Sequence, residues 1–85
     1  MNRVAEWDQF AELVEAHIIN YTLPQYDNPD GNDQVSTWTA AQCVDAIKKY
    51  CARFGNNVRG PDDQLRDLLK IAHYACLAHS KLWTE

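Results

Sequence analysis

The sequence contains no catalytic or metal-binding motif of high specificity in its 85 residues. It has no apolar run near the ~20 residues needed to span a bilayer, so we expect no membrane insertion. Lys and Arg number 8 against 12 Asp and Glu. This balance argues against general nucleic-acid binding, which depends on basic side chains that replace counterions on phosphates. The first ten residues lack the continuous apolar segment of a secretory signal, and we expect a cytoplasmic protein.

Cysteine is also sparse, with three residues and no CxxC pair. An odd number without a dense framework argues against a disulfide-stapled domain. We therefore expect Cys43, Cys51 and Cys76 to be reduced thiols buried on apolar helix faces. No spacing of these cysteines with His17 or His79 resembles a zinc motif, and no cofactor is expected.

Apolar residues, by contrast, are plentiful. They make up 46% of the chain and include three tryptophans. Eighty-five residues form one domain, spanning 1–85, and a core of that size seldom supplies more than ~3–5 kcal/mol. Apolar surface in excess of what a small core can bury suggests that the protein associates with itself.

Three helices are predicted, and the first spans about residues 3–21. Its apolar face repeats at intervals of three and four residues, with these members: Val4, Trp7, Phe10, Ala11, Val14, Ile18 and Tyr21. Pro24 ends this helix and begins a long loop, Pro24–Ser36, which is rich in turn-forming residues. Loops of that length in small domains are often functional.

The second and third helices have clear start signals. Thr39 and Gln42 form a capping box for a helix over 40–54, and Gly55 follows as a C-terminal stop. Gly60 and Pro61, followed by two aspartates, begin a helix over 61–82.

The third helix carries a wide apolar stripe, with these main members: Leu65, Leu68, Leu69, Ala72, Ala75, Cys76 and Leu82. Ile71 and Ala78 extend it to about half of the helix circumference. Two neighbouring helices of one short chain cannot easily cover so wide a face. We therefore predict an all-α, three-helix domain with a long first connection, associated as a homodimeric helical bundle.

A basic edge lies between the second and third helices, and it is the leading candidate for a binding site. Its members are Lys49, Arg53, Arg59, Arg66 and Lys70, together with Tyr50 and Tyr74. Guanidinium and ammonium groups beside aromatic rings are suited to phosphate or nucleotide ligands. The competing interpretation is a solvated surface with ion pairs such as Asp45 with Lys49, or Asp63 and Asp67 with Lys70. Charge runs are more often of this second kind.

Acidic pairs provide a weaker metal interpretation. Glu12 and Glu15 form an ExxE pattern, and Asp63 and Asp67 are four residues apart. Facing pairs of carboxylates can hold Mg²⁺ together with substrate phosphates. Because basic residues neighbour the second pair, ion pairing is favoured over a metal site.

The second half of the chain resembles a group of small bacteriophage proteins that are sometimes labelled nucleotide-kinase-like. The matching residues are Ile47, Lys48, Tyr50, Arg53, Gly55, Asp67, Leu68, Lys70 and Tyr74. Because that group has no secure activity, the resemblance implies a phage or prophage origin more than a reaction.

A second resemblance is to MazG-like all-α nucleotide pyrophosphatases, which are dimeric and hold Mg²⁺ with an ExxE and a later ExxD. Glu12 and Glu15 match the first element, but no ExxD follows. We therefore predict a non-catalytic interaction protein whose basic edge engages a nucleotide, a phosphate or an acidic partner. The alternative is a metal-dependent nucleotide pyrophosphohydrolase of reduced MazG-like type.

Overall fold

α-Helices make up most of the computed structural model, which describes residues 2–22, 37–54 and 60–83. The helices are α1 (Arg3–His17), α2 (Ala40–Phe54) and α3 (Pro61–Leu82), and a π-helical turn (Ile18–Thr22) follows α1. Across these three stretches no strand is present. The predicted all-α, three-helix class is thus confirmed.

The chain divides into two compact units, Met1–Asp33 and Gln34–Glu85. The first unit contains α1 and its π-helical turn. The second contains α2 and α3, which pack against each other. None of the described helices combines the length and apolarity needed to cross a lipid bilayer.

α1 begins where it was predicted, on a cap that the sequence analysis did not identify. Asn2 Oδ1 accepts hydrogen bonds from the backbone N–H groups of Val4 and Ala5, at 3.0 and 3.2 Å. These bonds satisfy amides that a helix start otherwise leaves without partners. At the other end the α-helix stops at His17, and a wider π-helical turn continues the helical backbone from Ile18 to Thr22.

The apolar face predicted for α1 is only partly sheltered. Val4, Trp7 and Tyr21 are exposed, and the ring of Trp7 lies 5.9 Å from that of Phe10 on the same helix. Phe10 and Val14 are half-buried. Contacts within a single helix shelter apolar side chains only locally, which accounts for the exposure of the larger ones.

α2 has the predicted bounds and the predicted cap. The backbone N–H of Thr39 donates to Gln42 Oε1 at 2.7 Å, and the N–H of Gln42 donates to Thr39 Oγ1 at 3.2 Å. This reciprocal pair is the capping box, and it fixes the first turn of the helix. The loop Pro24–Ser36 and Gly55, both singled out in the sequence, lie outside the described residues.

α3 also has its predicted bounds, and its start depends on a glycine. Gly60 has φ 113° and ψ 179°, a region that only glycine occupies without strain. Gln64 Nε2, in the first turn of α3, donates to the carbonyl of Phe54 at the end of α2, at 3.5 Å. This contact joins the end of one helix to the start of the next.

Gly60 provides a test of that backbone requirement. We expect Gly60→Ala to lower the free energy of unfolding by about 1–3 kcal/mol, although no atom lies within 4 Å of the position where the new Cβ would stand. A chemically synthesised chain with D-alanine at this position should retain full stability, because its mirror-image preference allows a positive φ. Thermal unfolding of both chains is the measurement. Equal losses in both would mean that space, not φ, limits this position.

The cysteines only partly follow the prediction. Cys43 is fully buried, but Cys51 and Cys76 are exposed, so the expectation of three buried thiols is wrong for two of them. The three thiols differ in exposure because only one side of each helix is covered by the α2–α3 contact. Cys43 lies on the side of α2 that meets α3, whereas Cys51 and Cys76 lie on sides that the α2–α3 contact leaves open.

Thiol labelling measures this difference directly. With a maleimide or disulfide reagent under native conditions, Cys51 should react rapidly and Cys43 only after unfolding, because a buried thiol cannot be reached by the reagent. Mass spectrometry of the proteolytic peptides gives the two rates. Equal rates at Cys43 and Cys51 would contradict the packing of α2 on α3.

The side of α3 that packs on α2 is only partly the predicted stripe, of which Ala78 is buried and Leu69, Ile71 and Ala72 are half-buried. Asp67 and Ala78 are buried and Tyr74 is half-buried, and they share one side of the helix. The exposed apolar residues of α3 lie on another side, within about 120° of the helix circumference. We call this side the leucine face: Leu65, Leu68, Ala75, Cys76 and Leu82. α3 thus turns a polar and aromatic side toward α2 and leaves its leucine face exposed.

Candidate basic site

A buried ion pair joins α2 to α3. The Asp67 carboxylate is 1% exposed, and it accepts two hydrogen bonds from Arg53. Arg53 Nη2 donates to Oδ1, and Nε donates to Oδ2 at 3.3 Å. Two parallel bonds from a planar guanidinium fix both the distance and the orientation of the partners. This pair therefore sets how the two helices are aligned.

The ion pair also stabilises the charged form of Arg53. The hydrogen bond to Asp67 raises the pKa of Arg53 above its ordinary value, and the negative charge of Asp67 adds to this effect. The Arg53 side chain is still 35% exposed, so its outer edge meets solvent. Its charge is permanent at every physiological pH.

Three aromatic rings form a series beside this pair. The rings of Trp38 and Tyr74 are stacked with centroids 6.0 Å apart, and those of Tyr74 and Tyr50 with centroids 5.9 Å apart. Both distances fall in the range in which offset stacking is favourable, about 0.5–1.5 kcal/mol for each pair. The series runs from the residue before the α2 cap, across α3, and back to the middle of α2.

Two cations lie at the Tyr50 end of this series. The Arg53 guanidinium carbon is 4.9 Å from the centroid of the Tyr50 ring, and Lys70 Nζ is 5.4 Å from it. A cation within about 6 Å of a ring centroid is attracted by the ring quadrupole. Residues from α2 and α3 therefore converge on one ring, as the antiparallel arrangement of the basic edge requires.

Two further cations lie one turn away on the same side. Lys49 precedes Arg53 by four residues and Arg66 precedes Lys70 by four, so each shares a helix side with its neighbour. Lys49 is exposed, and Arg66 is exposed while its Nη1 donates to Asp63 Oδ1 at 3.1 Å. We call Lys49, Arg53, Arg66 and Lys70 the basic flank. Against its four cations stand the carboxylates of Asp63, Asp67 and Asp45, the last of which precedes Lys49 by four residues on α2. The basic flank therefore keeps a formal excess of one positive charge in a chain of net charge −4.

Four of the seven predicted site residues are in contact with one another in the structure: Tyr50, Arg53, Lys70 and Tyr74. Lys49 and Arg66 lie one helical turn from Arg53 and Lys70. The seventh, Arg59, lies outside the described residues. Arg53 was predicted only as a member of the basic edge, but it also binds the buried Asp67 and so takes part in helix packing. Lys49, in contrast, is exposed.

The carboxylates proposed for Mg²⁺ are arranged differently from a metal site. Asp67 binds Arg53 and Asp63 binds Arg66, so each carboxylate already has a cationic partner. Glu12 and Glu15 are exposed on α1. Among the described residues no group of three or more His, Cys, Asp or Glu side chains is placed to hold a metal ion.

Sequence reasoning missed two members of the site. Asp67 was taken as one of an exposed acidic pair, although it is the most deeply buried charge in the described chain. Its position four residues after Asp63, on the side of α3 that also carries Tyr74, was the available signal. Trp38 directly precedes the capping box, and nothing in its spacing indicated stacking on a tyrosine 36 positions later.

Comparison with known proteins adds no relatives to this description. The chain matches no protein-family model, and neither the curated proteins nor the solved structures contain a significant match. The resemblances to phage proteins and to MazG-like enzymes therefore remain predictions.

The Arg53–Asp67 pair can be tested against the second arginine–aspartate pair. We expect Asp67→Asn to lower the unfolding midpoint by several degrees, because it removes a buried charge that orients Arg53. Asp63→Asn should change the midpoint little, since its partner Arg66 is largely exposed and such pairs contribute only ~0–1 kcal/mol. Thermal unfolding followed by circular dichroism measures both. Equal shifts would show that burial of Asp67 does not matter to stability.

Proposed function

We propose that this protein is a non-catalytic binding module whose basic flank engages an acidic segment of a partner protein. The observation that carries the proposal is the convergence of Arg53 and Lys70 on the Tyr50 ring, with Lys49 and Arg66 one turn away on the same side. These four cations come from two helices that are held together by a buried ion pair. The helices that carry these cations are therefore aligned before any partner binds, which reduces the entropy cost of binding.

The spacing of the charges favours an extended partner over a single phosphate. Neighbouring cations on each helix are separated by one turn, about 5.4 Å along the axis. A phosphate is best bound by several donors that point to one place. Here Arg53 directs Nε and Nη2 toward Asp67, and Arg66 directs Nη1 toward Asp63. Carboxylates spread along a peptide match a row of cations better.

The alternative hydrolase function is less well supported. Metal-dependent pyrophosphate hydrolysis needs carboxylates that are available to Mg²⁺ and to substrate phosphates. Asp63 and Asp67 are bound to arginines instead, and the aromatic rings beside them stack on one another.

A peptide titration tests the proposal. A short polyglutamate peptide added to the isotopically labelled protein should shift the amide NMR signals around Lys49, Arg66 and Lys70. Lys49→Glu should weaken this binding by about tenfold, because it replaces an attraction with a repulsion. The effect should decrease as salt is added, since screening weakens exposed charges.

Lys48→Glu is the matched control, because it makes the same charge change at the adjacent exposed residue, about 100° away around α2. It should leave peptide binding nearly unchanged. Equal weakening by Lys48→Glu and Lys49→Glu would mean that only net charge matters, and would refute the basic flank as a site. Signal shifts with ATP but none with polyglutamate would identify a phosphate ligand and reject the acidic partner.

A further inference from the structure

The leucine face of α3 lies apart from the basic flank, and the α2–α3 contact leaves it open. Leu65, Leu68 and Leu82 are 60%, 41% and 73% exposed, and Trp83, directly after the helix, is 63% exposed. Contiguous apolar surface of this kind in a small protein marks an interaction site. Smaller residues, Ala75 and Cys76, lie between the large ones and allow a neighbouring helix to approach closely.

The described part of the chain has little apolar core to offset this exposure. Among the described residues the buried apolar side chains are Cys43, at 0% exposure, and Ala78, at 8%. Small domains with so little buried apolar surface usually need additional stabilisation, and oligomerisation is one common source. A partner needed for folding must be present whenever the chain is made. A second copy of the same chain always meets that condition.

The charges at the two ends of α3 also favour a second copy. The first turn carries Asp62 and Asp63, and the last turn carries His79 and Lys81. Asp63 and Lys81 lie on the side of α3 away from the leucine face, whereas Asp62 and His79 are exposed near it. Two such helices placed antiparallel bring Asp62 of each copy toward His79 of the other. The helix dipoles, positive at the start and negative at the end, are opposed favourably in the same arrangement. A parallel arrangement would place like ends together.

We infer that two copies of this chain associate through their leucine faces, with the two α3 helices antiparallel. Full overlap of a helix that spans Pro61–Leu82 places the two-fold axis near its midpoint, beside Ala72. In this register Leu68 of each copy lies against Cys76 of the other, a large side chain against a small one. Both copies contribute the same patch, as a two-fold interface requires.

Light scattering and sedimentation across micromolar concentrations test the association. The wild-type protein should have the mass of a dimer, and Leu65→Glu should raise the dissociation constant by about tenfold or more by placing a charge in the apolar face. Leu13→Glu is the matched control, because Leu13 is 59% exposed on α1 and Leu65 is 60% exposed on α3. The control should remain dimeric.

A wild-type chain of monomer mass throughout this range would overturn the inference, and so would a dimer that Leu13→Glu disrupts as strongly as Leu65→Glu. Circular dichroism of each variant verifies that the helices are retained.

Disulfide cross-linking tests the direction of the helices. In a Cys51→Ser background, Leu68→Cys introduces a thiol eight residues before Cys76. Eight residues span about 12 Å along a helix, whereas a disulfide joins Cα atoms about 4.4–6.8 Å apart. A bond between these two positions must therefore join two chains.

Mild oxidation of the Leu68→Cys chain should give a covalent dimer, in which peptide mapping finds position 68 linked to position 76. Leu13→Cys in the same background is the control, and it should give no such dimer at equal concentration. Links of 68 to 68 and 76 to 76 would indicate parallel helices and reject the antiparallel arrangement. Absence of any link in a protein of monomer mass would reject the second copy altogether.

Discussion

The burial of one carboxylate determines how α2 and α3 meet. Asp67 is 1% exposed, and a charge so far removed from water is tolerated only when it is paired and hydrogen-bonded. Arg53 supplies two parallel bonds, so the second turn of α3 must face the last turn of α2. Once that side of α3 is directed inward, the opposite residues of the helix necessarily face outward. The exposure of the leucine face is thus a consequence of where Asp67 is placed.

The aromatic series extends this alignment along the helices. Trp38, Tyr74 and Tyr50 contact one another over the same side of α3 that carries Asp67. Stacked rings tolerate sliding better than a bidentate ion pair does, because their attraction depends less steeply on direction. The ion pair therefore fixes the register of the helices, and the rings add stacking contacts beside it. Arg53 belongs to both groups, since it binds Asp67 and lies over Tyr50.

The sequence predicted local features well and the packing of helices poorly. The capping box of Thr39 and Gln42 and the Gly60–Pro61 start depend on neighbours in the chain, and both helices they begin have the predicted bounds. Packing depends on which side of a helix finds a partner. Apolar periodicity suggested that α3 buries its leucines, yet its buried side is formed around Asp67 and Tyr74. A carboxylate paired across two helices leaves no periodic signal, because its partner is 14 residues away.

The candidate site was predicted only in part, because local spacing is visible in the sequence and packing between helices is not. The basic residues were found because i, i+4 spacing on one helix reveals a shared side. Their convergence across two helices required the turn between α2 and α3 to reverse the chain, which the glycine and proline residues there indicated. The role of Arg53 in holding Asp67 was missed, because the sequence gives charge but not burial.

The two proposed surfaces differ in how a bound partner would affect the stability of the packed α2–α3 pair. The basic flank shares Arg53 with the ion pair that aligns the helices, so a partner that binds there also favours the folded hairpin over the unfolded chain. The leucine face contains no member of the ion pair or of the aromatic series, so a partner there adds apolar burial without disturbing the alignment. Two copies joined through leucine faces carry two basic flanks. An acidic partner long enough to reach both would bind more tightly than either flank alone permits, by an increase that depends on the distance between them.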